Sequence, residues 1–159
     1  MLTPIKEANL KFEQVGLNFI KMLGFVGAEL IEYTEDKTVV RVPLNTNTKN
    51  HLGSIYFGAL AVGADVTCAW IAFDLIDITK KNVSVVFKDL SVKFLKRADG
   101  DAHFTCSDSR KVAEAFHQTI EDGERKNIPL EVIATVPSKY EDEPVAVFNM
   151  TLSMRYKKP

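Results

Sequence analysis

A chain of 159 residues is long enough for one domain with a sizeable core, able to bury roughly 70% of its unfolded surface without a disulfide or metal staple. Its 20 basic and 21 acidic side chains give a formal charge of -1, which excludes the basic footprint of a nucleic-acid binder. With 46% hydrophobic and 26% charged residues it is also too apolar to be disordered.

Cys68 and Cys106 lie far apart with no Cys/His ligand spacing, so the expectation is a reducing interior with no metal and no cofactor. The first ten residues have neither a basic start nor a continuous apolar run, do not read as a signal peptide, and place the chain in the cytoplasm as an expectation.

Thr3 can cap a helix and Pro4 suits its first turn, after which Ile5, Ala8, Phe12, Val15, Phe19 and Met22 recur at spacings of three and four. An amphipathic cover helix ending near Gly24 is predicted over 1–24. Residues 25–34 and 38–44 are short β-rich runs joined by the polar Glu35-Asp36-Lys37, a hairpin connection. Residues 44–54, rich in Asn and Thr, carry no period and form a loop, the kind of segment on which function often sits.

Residues 57–73 are apolar except for Asp65 and Thr67. The run is short of a membrane span of about 20 residues, and a mid-span carboxylate is costly in lipid, so no membrane span but a buried central helix over 57–77 is predicted. Its many small residues, Gly58, Ala59, Ala61, Gly63 and Ala64 among them, let a sheet approach closely.

In residues 82–96, Val83, Val85 and Phe87 fall on one parity and Leu90, Val92 and Phe94 on the other, which requires a bulge around Lys88-Asp89. A strand over 101–107, a helix starting after Asp108 or Ser109 and stopped by Gly123, and strands at 128–137 and 144–156 complete the chain. The order α-β-β-α-β-β-α-β-β, without repeat or linker, describes one α+β domain over 1–159, an antiparallel sheet wrapped around an apolar helix.

An ionised carboxylate inside an apolar helix needs partners or a changed pKa, which singles out Asp65; it either lines a wet seam, caps a neighbouring loop, or belongs to a site. Ahead of it, Asn50 offers an amide for a water or a carbonyl, and the N–H groups opening the helix offer an oxyanion site.

The run from Asn50 to Asp65, NHLGSIYFGALAVGAD, resembles the signature of hot-dog-fold acyl-CoA thioesterases of the phenylacetate-pathway type, with Asn50, Gly53, Gly58 and Asp65 in register. The resemblance extends loosely over residues 20–156. It implies a homodimer, or a dimer of dimers, that hydrolyses an acyl-CoA or acyl-carrier-protein thioester. Asn50 and the amide of Phe57 or Gly58 would come from one subunit, and Asp65, as general base or nucleophile, from the other.

The family usually shows His-Gly-Gly at the helix entrance where this chain has Tyr56, Phe57 and Gly58, a departure that resembles an uncharacterised branch of the superfamily. A strand hydroxyl that helps hold the attacking water maps to Ser84, or with a gap to Ser91. Tyr56-Phe57 is the sequence feature favouring a non-catalytic acyl-CoA or lipid-binding module, and His51 with Asp65 a hydratase or dehydratase. Cys68 reads as a packed thiol, and Trp70 and Phe73 as core or as the lining of an acyl tunnel. Lys88, Lys93, Lys96 and Arg97 are dense enough to contact CoA phosphates, or else form a solvated strand edge.

Overall fold

The computed structural model describes residues 1–158. Helix α1 (Ile5–Asn18) and the short α2 (Lys21–Val26) precede the hairpin β1 (Glu29–Tyr33) and β2 (Thr38–Val42). The long α3 (Phe57–Thr79) leads into β3 (Val83–Phe94), followed by β4 (Ala102–Cys106) and α4 (Ser109–Asp122). Strand β5 (Lys126–Thr135), the turn-length α5 (Pro137–Tyr140) and β6 (Pro144–Tyr156) end the chain.

All strands pair antiparallel in one sheet of order β1-β2-β4-β5-β6-β3, so β3, although it directly follows α3, lies at an edge. The alternation of β6 is that of a strand with one dry face: Ala146, Phe148, Leu152 and Met154 are fully buried. Strand β3 stays in phase with it through a bulge. Val85 pairs Met154 and Phe87 pairs Leu152; the ladder then skips Lys88, and Leu90 pairs Met150. The extra residue returns Leu90, Val92 and Phe94 to the face that holds Val83, Val85 and Phe87.

The inner face closes on α3, which packs against β2, β4 and β5. A Cβ at Gly63 would stand 2.4 Å from the fully buried Phe104 ring, so only glycine lets helix and sheet meet there. The apolar helix is thus the core of the domain, with Ala64, Cys68, Trp70, Ile71 and Ala72 almost fully covered.

The N-terminal cover differs from the predicted single helix over 1–24. The helix breaks at Phe19-Ile20 because Gly16 and Gly24 bring two backbones together, a Cβ on Gly16 falling 2.9 Å from Gly24 N. Leu23 and Val26 then turn inward, while Phe19 and Met22 face outward. Thr3 does not cap α1 either: its N–H and hydroxyl both donate to the buried carboxylate of Asp74, at 3.1 and 2.5 Å. The central helix runs two residues past the expected end, to Thr79, and Lys80 closes it in the left-handed conformation.

Candidate functional site

The segment between β2 and α3 is a tightly tied loop. Asn50 Oδ1 accepts from Leu52 N (2.9 Å) and Ser54 N (3.2 Å), while Gly53, at φ +77°, turns the chain back so that its N–H reaches Asn50 O. Arg97 fastens the same turn from the far end of β3, donating to Ser54 Oγ at 3.0 Å and Leu52 O at 2.6 Å. The carbonyl half of the Asn50 amide is therefore used within the loop, and its NH2 is the group left for a ligand.

At the helix entrance, Ala59 N and Leu60 N both bond Tyr56 O, whereas Phe57 N and Gly58 N have no acceptor among the described residues. Two free donors sit at the positive end of a 23-residue helix. Tyr56 folds over the next turn: a Cβ on Gly58 would lie 2.5 Å from its ring, and its centroid is 4.7 Å from that of Phe57. Both rings are more than half or half exposed, at 59% for Phe57 and 50% for Tyr56.

Two turns further on is Asp65. Among the described residues its carboxylate has no hydrogen-bond donor and no cation, and burial alone pushes its pKa from 3.8 up to about 6. After the exposed Phe57, the incompletely buried residues of this half of α3 are Gly58, Ala61, Val62 and Asp65, and their spacing puts them on one stripe. Seven residues separate Gly58 from Asp65, about 10 Å along the axis, too far for both to act on one carbonyl within a single subunit.

Asp74, the wholly buried carboxylate of α3, is not legible as such in the sequence. It accepts from Thr3 and from Tyr33 Oη (2.9 Å), with Lys11 Nζ at 3.8 Å. It anchors the N-terminal segment and β1 to the core helix, and burial with Asp74 beside it pushes the Tyr33 phenol pKa upward. The signal was present, a second acid in an apolar helix, but its partners lie 71 and 41 residues away.

Other candidates fall outside the Asp65 stripe. Ser84 Oγ donates to Arg155 O at 3.1 Å in a separate cleft with Asp122, Arg125 and Lys157. Ser91 pairs Asn149, on the opposite parity from Leu90. Lys96 is ion-paired with Glu143, and Arg97 is engaged with the loop, while Lys88 and Lys93 are exposed and unpaired among the described residues. Cys68 is buried with its pKa raised by desolvation, as a packed thiol is. Trp70 is core, edge-on to Phe12 at 4.9 Å, and Phe73 lines a groove under α1 with Leu10 and Phe19. His51 is exposed on the loop.

A six-stranded antiparallel sheet curled around a long helix, with the helix opened by a glycine loop, is the hot-dog fold. Several solved structures share that fold at low identity. A candidate thioesterase from Shewanella oneidensis is 14% identical with a TM-score of 0.77, over 93% of this chain and 97% of its own. A protein of unknown function from Chlorobaculum tepidum is 18% identical with a TM-score of 0.79, over 96% and 97%. A thioesterase from Haemophilus influenzae is 14% identical with a TM-score of 0.69, over 98% and 93%. A search of curated protein sequences finds no relative. Residues 20–154 match a domain of unknown function, DUF4442, and the chain belongs to that family.

Proposed function

We propose that this protein hydrolyses acyl thioesters, acyl-CoA or the equivalent on a carrier protein, at a site shared between two subunits. The observation that carries the reading is Asp65: a carboxylate held without partners, its pKa raised to about 6, on the helix stripe that also bears two unused N–H donors. A group so poised serves as a base near neutral pH.

In this scheme Phe57 N, Gly58 N and the Asn50 NH2 of one subunit hold the thioester oxygen, and Asp65 of the second takes the proton from the attacking water. The tetrahedral oxyanion collapses, the C–S bond breaks, and Asp65 returns the proton to the leaving thiolate. Neither metal nor redox cofactor enters the scheme.

The second subunit has a place to join. Strand β3 is a 12-residue edge with Val86, Leu90 and Phe94 about half exposed, long and apolar enough to pair with its own copy about a two-fold axis. The Tyr56 and Phe57 rings, which crowd the approach to the donors, are the one feature favouring a non-catalytic acyl-CoA-binding role.

Thiol release measured across acyl-CoA chain lengths decides between the two readings. Turnover by the wild type that Asp65→Asn abolishes supports the hydrolase. Tight binding without turnover at any chain length assigns the protein to binding alone.

A further inference from the structure

Where the first turns of β3 and the last of β6 meet the α4–β5 turn there is a cleft of about 520 Å³ that the scheme above leaves unused. It is lined by four cations, Arg125, Arg155, Lys157 and Lys158, and two acids, Asp122 and Glu124. Asp122 is neutralised by Lys126, whereas Arg155 and Lys157 have no carboxylate partner among the described residues. Arg125 is held in place by Ser153 Oγ at 2.9 Å, and Lys157 by its own N–H to Asn82 O at 2.8 Å. A chain with a formal charge of -1 thus gathers a local positive excess around the end of β6 and the start of β5.

We infer that this cleft binds the phosphates of a phosphopantetheine-bearing thioester, with Arg155 and Lys157 as the principal contacts. Guanidinium and ammonium groups left unpaired beside each other suit a multiply charged phosphate ligand, which satisfies several donors at once. The position fits the ligand as well as the charge. Two β3 edges related by a two-fold axis pair antiparallel, so the Val83 end of one strand lies beside the Phe94 end of the other. The partner's helix entrance is tied to that Phe94 end by the Arg97 bonds to Ser54 and Leu52. In such a pair the cleft of one subunit, on the sheet face turned away from α3, lies at the same end of the strands as its partner's helix entrance. By contrast, Lys96 and Arg97, the more obvious cations in the sequence, are already committed to Glu143 and to the loop.

This inference rests on the thioester reading for the identity of the ligand but not for its test, which reads binding rather than turnover. Free CoA is titrated by calorimetry into the wild type, into Arg155→Ala/Lys157→Ala, and into Lys88→Ala/Lys93→Ala, which removes the two unpaired lysines of β3. The first variant is expected to weaken CoA binding at least about tenfold and to flatten its salt dependence. The second is expected to change it by less than about twofold, as exposed lysines do.

The same titration with 4′-phosphopantetheine separates the ligand sources. Loss on both probes places the pantetheine phosphate in the cleft, and loss on CoA alone places the nucleotide phosphates there; either supports the site. Wild-type affinity in Arg155→Ala/Lys157→Ala, a loss confined to the β3 lysines, or no CoA binding by the wild type overturns it. If the wild type binds CoA through the cleft yet hydrolyses no thioester, the site stands and the hydrolase reading falls. Hydrolysis of acyl-CoA with a KM indifferent to Arg155 and Lys157 does the reverse.

Discussion

Replacing Asp65 by Asn should make the protein more stable and less active at once. A carboxyl whose pKa rises from 3.8 to about 6 on folding is destabilising wherever it is ionised in the folded state. At about 1.4 kcal/mol per unit, the full shift corresponds to ~3 kcal/mol, and partial access of water to Asp65 discounts this to ~1–2 kcal/mol.

The sign follows from proton binding. Between pH 4 and 6 the folded protein holds a proton that the unfolded chain has released, so the penalty grows as pH rises through that window and is complete above about pH 6. Urea melts of wild type and Asp65→Asn at one protein concentration should therefore differ by ~1–2 kcal/mol at pH 7.5 and converge near pH 4. Turnover at pH 7.5 should fall about 10²- to 10⁴-fold, while the wild-type rate should rise with pH through about 6 as the base ionises. A variant less stable than wild type at neutral pH would refute the reasoning, since it would show that the carboxylate has a partner in the folded state. Greater stability with unchanged turnover would leave the strain but remove its catalytic purpose.

The second acid of α3 behaves oppositely. Asp74→Ala strands the Thr3 and Tyr33 donors in the core and should cost ~3 kcal/mol in a urea melt, with the N-terminal residues losing hydrogen-exchange protection first. Leu90→Lys places a charge in the middle of the exposed β3 edge and should shift the protein to monomer in light scattering, with turnover lost in parallel; an active monomer would remove the shared-site scheme. Gly63→Ala drives a methyl into the Phe104 ring and should lower stability by ~1–3 kcal/mol in the same melt, whereas Gly53→Ala, which has open space around it, pays only the left-handed backbone strain.

The elements that could be read from the chain alone are those whose evidence is local. Period-2 burial marked β6, the parity change at Lys88-Asp89 marked the β3 bulge, and an apolar run interrupted by Asp65 marked the core helix, whose 23 residues would by length alone also suit a membrane. The loop and helix-entrance candidates were legible for the same reason, since Asn50, Gly58 and Asp65 fall within 16 consecutive residues.

What depended on distance was decided only by tertiary structure. The break between α1 and α2 comes from two glycine backbones meeting across a turn, and Thr3 leaves its capping position for a carboxylate 71 residues away. Strand parity, not residue type, sends Ser84 to the Arg155 cleft. Arg97 turns from a free cation into a loop clamp because β3 ends beside Ser54. A side chain's role there depends on which groups fold beside it, and spacing along the chain carries no record of that.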